Sequence, residues 1–502
     1  MSFDLDSIAD SVIEESELLI DKLVENITPS KVADAEPEPS SDRVFDRIYI
    51  FGDSLSDSGN IFRATGAVQA YQEIFSLDLP VTPASPPYFE GRFTNGLTWA
   101  DNLAADLGLE LTPSTELSLL DEDLPIASSV TVADETLTVS PFFNGATTTN
   151  SVNFAFGGAQ LGEFGAGEFG DAIPGVSTQV DFFLKDQQQA NQSADPDALY
   201  VIWGGANDYQ TVADADPQAV VKDLETAVED LYEIGARNFL IADLPDLGQT
   251  PRATSATAPV DSSTLTDLTS QHNSLLASTV SDLDNSLADA ELITLPVNQL
   301  FEEILANPKE YGLTNTSESF LDPDTLTPNG KASDEYLFWD SIHPTATVHE
   351  AVGDLATETL LLNQAENEIN GTSDNDTLTG SKNNDALRAD RGNDELMGAG
   401  GDDVLLGGVG NDLLNGGMGK DSLMGGRGED RFVLKANAGE DTIFDLNFDE
   451  DSLLLDGLTF AELSLVNGDG GVSVSVSDTD EVIAIIAGVD ADSLGSENFT
   501  LV

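Results

Sequence analysis

Between about residues 43 and 362, short apolar runs alternate with longer amphipathic ones. RIYIF (47–51), VNFAF (152–156), LYVIW (199–203), NFLIA (238–242) and ELITL (291–295) read as strands. The windows 97–107, 177–189, 216–235, 262–287 and 344–362 place apolar residues at helical spacing. This alternation predicts βαβ units, hence an α/β domain whose parallel sheet is covered by helices on both faces. Polar, Gly-rich text follows the strands: GDS after the first, GGA after the second, GGAND after the third and DLPDLGQTP after the fourth. In such sheets the ligand crevice opens at the carboxyl ends of the strands. Ahead of the domain, Leu5, Ile8, Val12, Leu19, Leu23 and Ile27 predict an acidic amphipathic helix over 1–28, which Pro29 ends. DAEPEPSSD (34–42) reads as a linker, so 1–42 stands apart from the domain at 43–362.

Beyond residue 362 the pattern changes period. Asp376, Asp385, Asp394, Asp403, Asp412, Asp421 and Asp430 are nine apart, and an apolar residue from Leu378 to Phe432 stands two positions after each. A fixed period predicts a solenoid, in which each copy buries its apolar residue only by stacking on its neighbours. The best copies, GGVGNDLLN, GGMGKDSLM and GGRGEDRFV, carry GGxGxD. Glycines there permit the tight turns of a parallel β-roll, and the Asp carboxylate is a hard ligand suited to calcium. Without a cation the stacked aspartates would repel one another, so binding and folding are expected to be coupled. The segment 363–440 closely resembles the RTX nonapeptide repeats of proteins exported by type I secretion, a family with a carboxyl-terminal export signal. The resemblance implies structural calcium held by Asp403, Asp412, Asp421 and Asp430 with Gly401, Gly408, Gly410, Gly417, Gly419 and Gly428. The first copies, GTSDNDTLT, GSKNNDALR and ADRGNDELM, depart from the consensus, so sites are expected only from Gly398 onward. IFDL, SLLLDGL, VSVSVS and VIAIIAGV predict a β-rich cap over 441–502.

Composition narrows the function classes. The chain has 502 residues, 91 acidic and 19 basic, a net charge of −72. That charge disfavours nucleic acid and anionic membrane surfaces as partners. With no cysteine, disulfides, thiolate metal sites and a cysteine nucleophile are excluded. No apolar run approaches a membrane span, and 1–42 lacks the pattern of an amino-terminal signal peptide. Export is therefore expected to be directed from elsewhere in the chain.

Candidate chemistry centres on IYIFGDSLSDSGN (48–60), which aims Ser54 out of the end of a strand. A serine nucleophile needs a base and a carboxylate to hold that base. Of three histidines, His343 in FWDSIHPT has Asp340 three residues earlier, and Pro344 places it in a loop before a helix. His349 falls within a helical run and reads as a surface or packing residue, and His272, on a helix face, reads as a satisfied core or interfacial histidine. Asp53, Asp57 and Asp208 read as turn organisers and caps. An oxyanion needs donors; GGA (157–159) and Asn207 in WGGANDY offer them. The G-x-S-x-G elbow is absent.

Taken in order, FGDSLSDSGN, NFAFGGA, GGAND and DSIH resemble the four sequence blocks of the GDSL or SGNH hydrolases, over roughly 43–362. GRFTNGLTWADNLA (91–104) and LPDLGQTP (244–251) are similar to bacterial members. The resemblance implies a three-layer α/β/α, flavodoxin-like domain. It implies Ser54 as nucleophile, His343 as base and Asp340 as its orienter. It also implies Ser54, Gly158 and Asn207 as oxyanion donors, with Gly157 the alternative to Gly158. The expected activity is ester hydrolysis by a lipase, esterase or acylhydrolase that needs no cofactor for its chemistry. Two other readings stand beside it: acyl transfer or carbohydrate deacetylation at the same site, and a calcium-dependent surface protein with an inert or glycan-binding domain. Aromatics in YQEIF, PPYF and SPFFNG, between the first two blocks, either line an acyl pocket or pack the core.

Overall fold

The computed structural model describes residues 45–501 except 71–80, 118–129, 133–134, 138–142, 144, 167–172, 324, 331, 449 and 469. The helix and linker expected over 1–42 lie outside the described residues. Six strands make the first sheet: β1 (Ile48–Gly52), β2 (Leu111–Pro113), β3 (Ser151–Asn153), β4 (Leu199–Trp203), β5 (Asn238–Ala242) and β6 (Glu291–Leu295). Their order is β2-β3-β1-β4-β5-β6, and every pairing is parallel. Without the edge strand β2 this is the flavodoxin-like order, whose switch point lies between β1 and β4. Every residue of β1 and β4 is buried, as a strand covered on both faces requires.

The covering helices are α1 (Asn60–Ala70), α2 (Trp99–Asp106), α3 (Val176–Ala190), α4 (Pro217–Glu233), α5 (Ser262–Ser286), α6 (Val297–Ala306) and α7 (Ala346–Leu362). They form two packed groups: α3 on α4 on α5, and α2 on α7 on α6. Local sequence sets their starts. Thr98 and Asp101 form a capping box on α2, and Asp216 caps α4 with Pro217 in its first turn. The five expected helical windows and five expected strands are all present. Strand β2 and helices α1 and α6 were not expected. Only Pro296 separates β6 from α6, so ELITLPVNQLFEEILA runs on without the polar spacer that marks a boundary.

The repeats coil into a parallel roll. Successive copies alternate between two sheets, so each strand pairs with the one eighteen residues on: Leu396 opposite Leu414, Leu405 opposite Leu423. Leu387, Leu396, Leu405, Leu414, Leu423 and Phe432 stack between the sheets with no exposed surface. Stacking demands close backbone approach; Gly410, at φ +145°, sits where a Cβ would overlap the Gly392 carbonyl. Both sheets continue past residue 440. Asp441–Ile443 and Glu481–Ala487 extend one, and Ser452–Asp456 and Phe499–Leu501 extend the other. The antiparallel strands Leu463–Gly468 and Gly471–Val476 finish the first. The expected border at 440 thus falls inside continuous sheets, because the stacked apolar core runs across it.

The roll also packs on the α/β layers. Leu361 of α7 joins an apolar cluster with Ala386, Val404, Leu406, Met424 and Phe444 of the roll. Arg391 reaches Glu303 of α6 at 2.6 Å and Glu310 at 3.0 Å, and Arg388 reaches Glu358 of α7 at 3.0 Å. The Arg427 guanidinium lies 3.7 Å over the Tyr311 ring. The ion pairs are half-exposed and contribute little by themselves; the apolar cluster holds the contact.

Truncating one inner residue should show how far the roll depends on its stacked row. Leu414→Ala is expected to destabilise the roll by about 2–5 kcal/mol, read by urea unfolding of the full chain. A change under about 0.5 kcal/mol would mean that the row is not a packed core.

Candidate active site

Ser54 leaves the carboxyl end of β1 in a turn built to bury polar groups. Gly52 closes the strand, and a Cβ there would stand 2.5 Å from the Trp203 carbonyl oxygen of β4. The Gln179 amide brackets Gly52, accepting its N–H and donating to its C=O, both at 2.9 Å. Asp57 then gathers the loop. Its Oδ1 accepts from Gly59 and Asn60 at 2.8 and 2.6 Å, and its Oδ2 from Ile61 and Gly157 at 3.2 and 2.8 Å. Asn60 donates to the Asn153 and Ala155 carbonyls at 2.8 and 2.9 Å, while Asn153 donates to Ser56 O at 2.6 Å. The first block is thereby tied to the second. Burial pushes the Asp57 carboxyl up to about 6, against the four N–H groups that favour its charge.

Across the crevice, Asp340 and His343 share one tight turn. Asp340 Oδ1 accepts the Ile342 and His343 backbone N–H groups at 2.9 and 2.8 Å. His343 Nδ1 lies 2.7 Å from Asp340 Oδ2, and His343 Nε2 lies 2.8 Å from Ser54 Oγ. A carboxylate only accepts, so Nδ1 carries the proton and Nε2 is free to take one from Ser54. Burial opposes the Asp340 charge, but His343 and the two N–H groups hold this carboxyl below its usual value. A further contact was not legible in the sequence: Tyr88 Oη donates to Asp340 Oδ2 at 2.7 Å. Phe93 lies beside the His343 ring, centroids 4.9 Å apart.

Of the expected oxyanion donors, the Ser54 and Gly158 N–H groups have no hydrogen-bond partner among the described residues. Gly158 takes φ +86°, and the neighbouring Gly157 N–H is already held by Asp57. Asn207 follows β4 on the other side of the switch point. Its amide donates to the Ala159 carbonyl at 2.9 Å and makes a longer contact, 3.3 Å, with Asp53 Oδ2. Asp53 is pushed up to about 6 by burial. Asp208 accepts the Leu161 N–H at 3.2 Å, the organising role expected for it.

A cavity of about 260 Å³ opens beside Ser54, Asn207 and His343, with Leu247, Phe301, Leu305, Leu337 and Ile342 among its walls. None of the described aromatics between the first two blocks lines it. Phe143 packs against Phe154, Tyr88 and Phe93 flank the Asp–His turn, and Tyr71, Phe75 and Phe142 lie outside the described residues. The walls come instead from the loop after β5 and from α6, an element that the sequence pattern hid. The other histidines are buried. His272 Nδ1 meets Tyr209 Oη at 2.8 Å, and burial pushes its ring down to about 4. His349 Nδ1 accepts the Trp99 N–H at 3.3 Å.

A second set of functional groups lines the roll. Oδ1 of Asp394, Asp403, Asp412, Asp421 and Asp430 each accepts the backbone N–H of the aspartate eighteen residues earlier, as from Asp394 to Asp412 and from Asp403 to Asp421, both at 2.8 Å. Oδ2 of Asp394, Asp403, Asp412, Asp421 and Asp430 is buried with no partner. In the two earliest copies a hydroxyl residue replaces the second glycine and fills that need. Thr372 donates its N–H and hydroxyl to Asp376 Oδ2, and Ser381 does the same for Asp385. The first glycine of the later copies forms the cradle: a Cβ on Gly407 would lie 2.5 Å from Asp412 Oδ2 and 2.6 Å from the Gly425 carbonyl. Ala389 takes that place in the copy of Asp394. Gly398, Gly416 and Gly425 stand in the same way beside Asp403, Asp421 and Asp430. Among the described residues no three His, Cys, Asp or Glu side chains converge on one metal position. The donors are single carboxylates and backbone carbonyls, which fit a hard cation such as calcium.

Comparison with known proteins agrees with both halves. The GDSL-like Lipase/Acylhydrolase family model matches residues 48–356, and the RTX calcium-binding nonapeptide repeat model matches residues 363–396 and 397–432. The chain is 25% identical over 378 residues to phosphatidylcholine-sterol acyltransferase of Aeromonas hydrophila, covering 65% of this chain and 91% of that protein. It is 27% identical over 344 residues to GDSL esterase/lipase At1g71691 of Arabidopsis thaliana, covering 62% and 81%. A putative GDSL-like lipase of solved structure from Parabacteroides merdae shares 12% identity, covering 64% of this chain and 99% of that one, with a TM-score of 0.30. The chain belongs to the GDSL-like lipase/acylhydrolase family and carries RTX calcium-binding nonapeptide repeats after its hydrolase domain.

Proposed function

We propose that this hydrolase cleaves carboxylic esters through an acyl-enzyme on Ser54, with His343 as base and Asp340 as its orienter. The observation that carries the reading is the unbroken chain Ser54 Oγ–His343–Asp340, with contacts of 2.8 and 2.7 Å, at the mouth of an apolar cavity. His343 Nε2 takes the serine proton as Oγ attacks the ester carbonyl. The oxyanion then rests on the Ser54 and Gly158 N–H groups and on Asn207, whose long contact to Asp53 is the one that an oxyanion would replace. His343 returns the proton to the leaving alcohol, and water attacks the acyl-enzyme in the second half. The apolar walls favour an acyl chain in the cavity. A net charge of −72 favours neutral over anionic esters. Similarity to a phosphatidylcholine-sterol acyltransferase supports a second reading, in which an alcohol replaces water in that last step.

The proposed organisation keeps 43–362 as hydrolase, 363–440 as roll and 441–502 as its capping continuation with an export signal. RTX repeats support type I secretion to the exterior. Among the described residues no helix is long and apolar enough to cross a membrane. Calcium is proposed to be structural, held by Asp403, Asp412, Asp421 and Asp430 through their unpartnered Oδ2 atoms and by carbonyls of the surrounding glycine turns. It would supply the counter-charge that these carboxylates lack.

The ester reading is tested with p-nitrophenyl esters of increasing chain length. Ser54→Ala is expected to abolish turnover, and Asn207→Ala to lower kcat by about 10²–10³-fold. Retained turnover in purified Ser54→Ala would refute the assignment, and product transfer to an added alcohol would favour the second reading. The calcium reading has its own test. Burial pushes Asp403 and Asp412 up to about 6 and Asp430 up to about 8 in the cation-free roll. A raised carboxyl makes the folded state bind more protons than the unfolded one, so stability falls as pH rises through that range. Thermal melts in chelator should therefore show the roll losing stability from about pH 5 to 8. Calcium should restore more at the upper end; a roll equally stable across the range without calcium would count against the reading.

A further inference from the structure

We propose that Tyr88 is a positioning residue for this reaction, its hydroxyl fixing the Asp340 oxygen that holds His343; the proposal rests on the Ser54 hydrolase reading. The four acceptor positions of the Asp340 carboxylate are all filled. Oδ1 takes two backbone N–H groups from its own turn, at 2.9 and 2.8 Å. Oδ2 takes His343 Nδ1 and Tyr88 Oη, both at 2.7 Å. Backbone groups thus fix one oxygen, whereas the oxygen that faces the imidazole depends on Tyr88. The direction of this bond is not ambiguous. Burial, and Asp340 itself, push the Tyr88 hydroxyl above its ordinary value, so it keeps its proton and donates.

The ring is held in place independently of the hydroxyl. It meets Trp339 edge-on at 6.3 Å and Phe93 at 6.2 Å, and Phe93 in turn flanks His343. Ser85 Oγ donates to the Tyr88 carbonyl at 2.9 Å, and the Tyr88 N–H donates to Ala84 O at 3.1 Å. A residue 252 positions from Asp340 is thereby presented to it by a rigid aromatic mount.

The hydroxyl has two consequences for the chemistry. It prevents the carboxylate from swinging about its own axis, which keeps Nδ1 protonated and Nε2 aimed at Ser54. It also shares the charge on Oδ2, so Asp340 attracts the imidazolium less than it would alone. Removing it should leave His343 less well oriented, facing a carboxylate oxygen with one donor fewer to share its charge. The polar and charged groups facing His343 are Asp340, Ser54, Asp53 from the nucleophile turn and His349 from α7. None of these side chains is changed by a substitution at Tyr88.

The test is Tyr88→Phe in the calcium-loaded full chain, with Ser54→Ala assayed beside it. For Tyr88→Phe we expect kcat to fall about tenfold with KM within about twofold. The acid limb of kcat/KM should move up by about half a pH unit. Because phenylalanine keeps the ring, circular dichroism and melting should stay near those of the parent. If kcat stays within about twofold and the limb does not move, the proposal is overturned. A loss of activity that tracks a loss of folded protein with an unmoved limb overturns it too, since that is what packing alone would do. Activity persisting in Ser54→Ala would instead remove the reading on which the proposal rests.

Discussion

A carboxylate taken out of water must recover hydrogen bonds or a counter-charge, and this acidic chain is organised around that requirement. In the hydrolase half the requirement is met by the protein itself. Asp57 collects four backbone N–H groups and with them two sequence blocks about a hundred residues apart. Asp340 collects two N–H groups, an imidazole and a phenol. Each satisfied carboxylate becomes a fixed point, and the nucleophile turn and the histidine loop are aimed by those points. In the roll the requirement is met only halfway. One oxygen of each aspartate ties a turn to its neighbour, while the other is buried without a partner from Asp394 to Asp430.

The same logic separates the early repeats from the later ones. Thr372 and Ser381 complete their aspartates from within, so those turns need no external charge. The later copies put Asp390, Ala399 or a glycine in place of the hydroxyl residue, and the second oxygen of their aspartates has no partner. The roll in turn packs on α6 and α7 through Leu361 and the arginines 388 and 391. Helix α6 also carries Phe301 and Leu305 of the cavity wall. The roll and the cavity wall therefore meet on one helix.

Much of this was legible in the chain. The buried strands advertise themselves because residues covered on both faces must be apolar, as IYIF and LYVIW are. Ser54, His343, Asp340 and Asn207 stand at strand ends, where side chains can meet across a switch point. Aspartate and an apolar residue in register through seven copies can only mean stacking. What escaped was whatever lacks a local signature. Helix α6 follows β6 without a polar break, and Tyr88 looks like any aromatic in a proline-rich loop. The choice between Gly157 and Gly158 turns on which N–H Asp57 already holds.

Local periodicity and turn chemistry, being properties of neighbouring residues, determined most of the elements, their parallel arrangement and the repeat, and the resemblance to a known family pointed to the site residues. Only the tertiary structure decided the rest: which oxygen of Asp340 meets which donor, which residues wall the cavity, and which aspartates lack a partner. Those are matters of a few tenths of an ångström between segments 252 residues and more apart, and the spacing of residues along a chain carries no such information.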